Sequence, residues 1–140
     1  MFNTILVPTD GSPGMGRAID RASELAALND AEIRFVYVAN PSQYMGLPLE
    51  TPWESVETML YEEGEKALRA AETRCSVDRI DSEIIEGRPS QEIVAYASRT
   101  SCDLIVMGTH GRGGLNRLLL GSVAERVVRS ATVPVMTVRI

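Results

Sequence analysis

Five short, mostly apolar segments alternate with four segments of helical periodicity along this chain of 140 residues. The apolar segments cover residues 5–7, 33–38, 82–86, 103–107 and 133–138. Short, continuous apolar runs are typical of parallel strands that helices cover on both faces. The alternating order therefore predicts an α/β fold with an open, doubly wound, five-stranded parallel sheet and right-handed crossovers.

Turn and capping residues predict where the helices begin. Ser12 and Pro13 have the form of an N-cap and a first helical residue after the first strand. Thr51 and Glu54 have the spacing of a capping box, with Pro52 at the first helical position. The remaining two helices are predicted to follow the glycines after the third and fourth apolar segments.

The third and fifth apolar segments carry the features of edge strands. Residues 82–86 are the most polar of the five, and Pro134 lacks the backbone N–H that a central strand needs. Strand order 3-2-1-4-5 places both segments at the edges. In that order the chain reverses direction between the first and fourth strands, and ligands of open α/β sheets bind beyond the carboxyl ends at such a switch point. The segments that end there are Asp10-Gly11 and the stretch from Gly108.

Composition limits the class of protein. A net charge of −5 argues against general binding of nucleic acid or of an anionic membrane. No apolar run approaches the roughly 18 residues of a membrane helix and no signal-peptide pattern opens the chain, so we expect a cytoplasmic protein. The length predicts one domain, residues 1–140. Cys75 and Cys102 match no zinc or redox motif, which predicts two unpaired thiols.

A glycine-rich stretch follows the fourth apolar segment and precedes the last helical pattern. Glycines let backbone N–H groups approach oxygen atoms closely, and a helix N-terminus attracts anions, so this layout predicts a phosphate cradle. The stretch is not a P-loop, because the only lysine is Lys66, far from any glycine cluster. It also lacks the G-x-G-x-x-G spacing of dinucleotide-binding folds.

The glycine spacing resembles the ATP-binding signature of the universal stress protein family. Gly108, two residues, Gly111, nine residues and Gly121-Ser122 fit the pattern G-x2-G-x9-G-[ST]. Residues 5–12 and 133–135 also resemble that family, so the resemblance spans the whole chain. It implies the Rossmann-like fold of adenine nucleotide alpha hydrolases, with the same strand order, and a protein that binds ATP. Phosphate chemistry in turn implies a divalent cation, Mg or Mn, on the phosphates.

The resemblance implies a set of nucleotide-binding residues. Asp10 would accept hydrogen bonds from the base or sugar, although the residues alone equally fit an Asx-turn or cap. The backbone of Val38 would face the adenine, although from the sequence it is simply a core residue. The full set is Pro8, Thr9, Asp10, Val38, Met107, Gly108, Thr109, Gly111, Arg112, Gly121, Ser122 and Val123.

Several residues near the glycines have alternative interpretations. Ser122 could contact a phosphate, or it could form a capping box with Glu125. Arg112 and Arg117 could pair with phosphate oxygens or be solvated surface residues. His110 is the only histidine and makes no metal cluster, so no metal-ligating residue is predicted.

Three functions fit these features. The first is an ATP-binding regulatory protein of the stress response that acts as a nucleotide-dependent switch or partner-binding module. The second is a slow ATPase or self-phosphorylating enzyme, which the loop disfavours because it lacks lysine, glutamine and aspartate, leaving Glu125 as the nearest carboxylate. The third is an interaction module without a working site, which the intact glycine pattern disfavours. No catalytic residue is predicted.

The last strand predicts a homodimer. Val133, Val135, Met136 and Val138 make an apolar edge that a lone subunit would leave open for pairing. Pairing with the same edge of a second copy gives a self-complementary two-fold contact through residues 133–138. The family commonly associates in this way.

Overall fold

A computed structural model describes residues 1–44, 46, 48, 50–110 and 120–140. Strands and helices alternate along these residues, with a short 3-10 turn after the second strand. The elements are β1 (Thr4–Pro8), α1 (Met15–Asn29), β2 (Glu32–Ala39), the 3-10 turn (Pro41–Tyr44), α2 (Trp53–Arg74), β3 (Ile80–Glu86), α3 (Pro89–Arg99), β4 (Leu104–Gly108), α4 (Ser122–Ser130) and β5 (Val135–Val138).

The five strands form one parallel sheet in the order β3-β2-β1-β4-β5, which confirms the predicted fold class and strand order. β1 lies at the centre, with Pro8 paired to Val36 of β2 and Ile5 paired to Leu104 of β4. β5 forms the edge next to β4, with Val138 opposite Gly108. The carboxyl ends of β1 and β4 therefore lie side by side at the centre of the sheet, where the chain reverses direction.

Both faces of the sheet are covered by helices. Successive side chains of a strand point to opposite faces, so Ile5 and Val7 pack with α1 and α2 while Leu6 packs with α3 and α4. All three side chains are fully buried. This two-sided burial is the physical reason for the continuous apolar runs in the sequence.

Two predicted helix starts are wrong. α1 begins at Met15 with Gly14 as its N-cap, because Ser12 belongs to the turn after β1: its N–H donates to Asp10 Oδ1 at 2.9 Å. α2 begins at Trp53, and Pro52 is its N-cap with an extended ψ of 139° and no side-chain cap.

Strand ends also differ from the predicted ranges by one or two residues. β5 begins at Val135 rather than Val133; Pro134 precedes it, and its carbonyl accepts a hydrogen bond from Ile105 N at 3.0 Å. β4 begins after Asp103, whose carboxylate accepts hydrogen bonds from the backbone of Asn3 and Thr4 at 2.8 and 3.1 Å.

The two cysteines are both free thiols, as predicted. Cys102 is buried, and this burial raises the pKa of its thiol. Among the described residues, no helix combines the length and apolar character needed to cross a membrane.

Candidate nucleotide-binding site

Three of the predicted site residues lie at or just beyond the carboxyl ends of three neighbouring strands. β1 pairs with β2 through Pro8 and Val36, and with β4 through Leu6 and Ile105. Asp10 lies two residues beyond β1, Val38 is the last residue but one of β2, and Thr109 directly follows β4. The structure thus brings the ends of β1, β2 and β4 together at the switch point.

The turn after β1 is closed by its own side chains. Thr9 is buried, its N–H donates to Val36 O at 2.9 Å, and its Oγ1 accepts from Gly11 N at 3.2 Å. Gly11 has a φ of 80°, in the left-handed region that favours glycine. Asp10 Oδ1 accepts from Ser12 N, so the Asx-turn interpretation of Asp10 is confirmed.

The turn holds the Asp10 carboxylate in place through the hydrogen bond from Ser12 N to Oδ1. Ser12 Oγ, in the same turn, is buried and has no hydrogen-bond partner among the described residues. Buried hydroxyls are normally paired, so Ser12 Oγ is an exception to the rule in the turn beside the predicted site.

Thr109 connects the end of β4 to the start of α4 and to the chain after β5. Its N–H donates to Val138 O at 2.9 Å, and its carbonyl accepts from Gly121 N at 2.6 Å. Its Oγ1 lies 2.9 Å from His110 Nδ1 and accepts from Ile140 N at 3.4 Å. These bonds hold the first turn of α4 against the carboxyl end of β4.

The capping-box interpretation of Ser122 and Glu125 is wrong. Gly121 is the N-cap of α4, with φ −64° and ψ 158°, so Ser122 is already the first helical residue. Glu125 forms an ion pair with Arg129 at 2.6 Å instead. The N–H of Glu125 donates to Gly121 O at 2.9 Å. The N–H groups of residues 122–124 come before this hydrogen bond, at the helix N-terminus where N–H groups have no partner within the helix.

The first turn of α4 therefore has the form of an anion site. Ser122 is exposed, Val123 is half-buried and Gly121 is buried beside Thr109. N–H groups without an intrahelical partner and the positive end of the helix dipole both favour a negative ligand here. This is where the sequence predicted the phosphates.

Val38 and Met107 contribute buried side chains to the core beneath the site, on the α3 and α4 side of the sheet. Only their backbone atoms remain to face a ligand, which fits the role that the resemblance gave Val38. Pro8 is likewise buried at the end of β1. Gly111, Arg112 and Arg117 lie outside the described residues.

Gly108 has a neighbour that the motif did not predict. The side chain of Ile140 lies where a Cβ at Gly108 would stand, and it overlaps a Cβ at Gly14 in the same way. Sequence reasoning missed Ile140 and the unpartnered hydroxyl of Ser12. Neither carries a motif, and only the paired glycines at 14 and 108 hint at a close neighbour.

The described part of the chain contains no group of three or more histidine, cysteine or acidic residues that could hold a metal ion. The arrangement is suited to a polar, anionic ligand whose neutral end lies at Asp10 and whose charged end lies at α4.

Comparison with known proteins places the chain in a family. Residues 1–139 match the model of the universal stress protein family. A universal stress protein of Methanocaldococcus jannaschii is 43% identical over 141 residues, covering 99% of this chain and 83% of the relative. One from Thermus aquaticus is 36% identical over 140 residues, covering 99% and 100%. This chain belongs to the universal stress protein family.

Solved structures show the same fold. The universal stress protein UspA from Lactobacillus plantarum superposes with a TM-score of 0.82 at 28% identity, covering 99% of this chain and 98% of that chain. A universal stress protein in complex with cAMP superposes with a TM-score of 0.70 at 28% identity, covering 99% and 97%.

Proposed function

We propose that this chain binds ATP at the carboxyl ends of β1 and β4 and acts as a nucleotide-dependent switch or partner-binding module in a stress response. The observation that carries the proposal is the 2.6 Å hydrogen bond from Gly121 N to Thr109 O. It sets the start of α4 beside the carboxyl end of β4, at the switch point where open α/β sheets take their ligands.

The two ends of the site suit the two ends of a nucleotide. The Asp10 carboxylate and the backbone of Val38 would hold the base and ribose. The phosphates would lie at the first turn of α4, where Ser122 offers a hydroxyl and the helix dipole contributes about 0.3–1 kcal/mol per negative charge. Gly111 and Arg112 of the signature would complete the phosphate contacts.

The family supports the choice of an adenine nucleotide. A relative of known structure, similar over nearly the whole of both chains, was solved in complex with cAMP. A divalent cation, Mg or Mn, would be held mainly by the phosphates themselves, because the described residues offer no cluster of protein ligands for it.

The hydrolase alternative gains no support from Glu125. Phosphoryl transfer needs a residue that orients the nucleophile, and Glu125 is engaged with Arg129 on the surface of α4. We therefore propose binding without assigning a catalytic residue.

We further propose that two copies associate through residues 133–138. β5 is an edge strand of only four residues, paired on one side by β4. Its side chains are half-buried except for Met136, which is 38% exposed. Adding the β5 of a second copy would pair the open edge.

Calorimetric titration of ATP and adenosine tests the assignment of the two ends. Asp10→Ala should weaken both ligands alike, because Asp10 acts on the nucleoside. Gly121→Val should weaken ATP far more than adenosine, because a branched side chain would crowd the phosphates. The φ of −64° at Gly121 suits valine, so the substitution adds no backbone strain.

Gly46→Val is the matched control, because a Cβ at the exposed Gly46 meets no atom of the described residues within 4 Å. It should bind both ligands as the wild type does. If the wild type binds no ATP with Mg or Mn present, the proposed function is wrong. If Gly121→Val binds ATP normally, the placement of the phosphates is wrong.

A further inference from the structure

Ile140 lies between the two segments that build the candidate site. Its side chain contacts the β1–α1 turn at Gly14 and the end of β4 at Gly108, so closely that a Cβ at either glycine would overlap it. Its N–H donates to Thr109 Oγ1 at 3.4 Å. Ile140 thus contacts both walls of the candidate site, which are the β1–α1 turn and the end of β4.

The two walls supply different parts of the site. The β1–α1 turn carries Asp10, while the end of β4 carries Thr109, which in turn holds Gly121 of α4 by a 2.6 Å hydrogen bond. Beyond Leu6 and Ile105 no register pair joins β1 to β4 in the described residues. The spacing between the Asp10 turn and the α4 N-terminus therefore depends on what packs between them.

We propose that Ile140 is a positioning residue of the nucleotide site, which sets the distance between the Asp10 turn and the first turn of α4. The inference rests on the proposed function, since it concerns how the same site is held ready for ATP. Ile140 need not contact the ligand. It fixes both walls in advance, so that less ordering remains when ATP binds across them.

The position of Ile140 in the chain supports this role. Val138 O accepts the N–H of Thr109 at 2.9 Å, so the chain after β5 runs along the end of β4 towards the site. Gly14 and Gly108 both lack a φ in the left-handed region. Neither position therefore needs glycine for its backbone conformation, whereas both need room for the Ile140 side chain.

Calorimetric titration of ATP with Mg²⁺ into the full chain tests the proposal. Ile140→Ala removes the contact with both glycines and should weaken ATP by roughly three- to tenfold, the scale of ordering one or two extra side chains on binding. Ile140→Val keeps the β-branched contact and should stay within about twofold of the wild type, by the same reasoning.

Ile80→Ala is the matched control. Ile80 is also half-buried and begins the edge strand β3, where it packs on the α1 and α2 side of the sheet, far from the site. It should lower stability in urea but leave the ATP affinity unchanged. In the ligand-free Ile140→Ala protein, the amide NMR shifts of Asp10, Gly14 and Thr109 should differ from those of the wild type, because the two walls are held less tightly.

The outcomes separate the possibilities. Weaker ATP binding by Ile140→Ala, with normal binding by Ile80→Ala and Ile140→Val, supports the positioning role. Unchanged binding by Ile140→Ala overturns it, and so does an equal loss in Ile80→Ala, which would mean a general effect of stability. A wild-type protein that binds no ATP overturns the proposed function together with this inference.

Discussion

Gly108 belongs both to the ligand signature and to the packing around Ile140. From the signature alone, its role is to let the backbone approach a ribose or phosphate. In the structure, one side of Gly108 is covered by Ile140, which also covers Gly14. The same residue therefore meets two requirements, and the packing requirement extends to a glycine that the signature does not contain.

Gly14→Ala should lower the free energy of unfolding by about 1–3 kcal/mol, the usual cost of overpacking. A Cβ there would overlap Ile140. The double variant of Gly14→Ala and Ile140→Ala should lose less free energy of unfolding than the two single variants lose together, because the Cβ added at position 14 no longer overlaps the Ile140 side chain. Gly16→Ala is the control, since the three atoms nearest to its Cβ would all belong to the guanidinium of Arg74, 3.2 to 3.4 Å away. Urea unfolding measures all four proteins, and strict additivity of the double variant would contradict the contact.

Two serines have the chemistry of an N-cap but do not occupy that position in the structure. Ser12 and Ser122 both have good N-cap chemistry, yet Gly14 and Gly121 occupy the N-cap positions. Ser12 is held in the turn by Asp10, and Gly121 is held by Thr109. Local propensity favours serine as a cap, but these hydrogen bonds decide the outcome.

At the scale of the elements, α2 packs against the sheet through a glycine in its middle. A Cβ at Gly64 would lie 2.8 Å from Tyr37 Cδ1 and 2.9 Å from Ile84 Cδ1. Gly64 therefore lets α2 approach β2 and β3 closely enough to bury the ring of Tyr37, which is 2% exposed.

Gly64→Ala should destabilise the protein by about 1–3 kcal/mol through overpacking. In an exposed helix interior the same change is stabilising by about 0.5–1 kcal/mol, so the sign of the effect is diagnostic. Thermal or urea unfolding measures it. A stabilised Gly64→Ala protein would show that α2 does not pack this closely.

An ion pair joins α1 to α2 at the surface. Arg74 donates to both carboxylate oxygens of Asp20, at 2.8 and 2.7 Å. The hydrogen bond from Arg74 is the main reason why the pKa of Asp20 is lowered from its ordinary value of 3.8. Because the folded pKa is the lower one, this pair stabilises the fold above pH 3.8 and loses its effect as the pH falls through the folded value.

Asp20→Asn should therefore lower the urea midpoint at pH 7, and the difference from the wild type should shrink as the pH falls below the ordinary pKa of 3.8. Both side chains are about half exposed, so the difference should also be smaller in high salt. A difference that stays constant from pH 7 to pH 3 would contradict the assignment of the effect to this pair.

At the scale of the whole molecule, β5 is both the open edge of the sheet and the strand that leads to Ile140. Its pairing with a second copy would cover Met136 and lie next to the residues that hold Thr109. Dimerisation and the nucleotide site would then share one stretch of chain.

Met136→Lys should give a monomer, because a charge at the centre of an edge strand opposes pairing. Light scattering at tens of micromolar, roughly the range in which an interface of ordinary size is occupied, should show a wild-type dimer. Leu28→Lys changes a residue of α1 that is 82% exposed and serves as the control. A monomeric wild type would count against the proposed dimer.

The sequence predicts the sheet better than it predicts the site's surroundings. The continuous apolar runs indicate strands that are buried on both faces, and the polar character of β3 together with Pro134 indicates the two edges. Ile140 could not be found in this way, because its role depends on contacts with Gly14 and Gly108, far away in the sequence. No periodicity or motif encodes such a contact.

The central claim is that ATP binds where β1, β4 and α4 meet, and an NMR titration of labelled protein with ATP and Mg²⁺ tests it most directly. We expect saturable amide shifts at Asp10, Thr109, Ser122 and Val123, and none in the distant edge strand β3. Absence of saturable shifts at these four residues, or shifts confined to β3, would contradict the account.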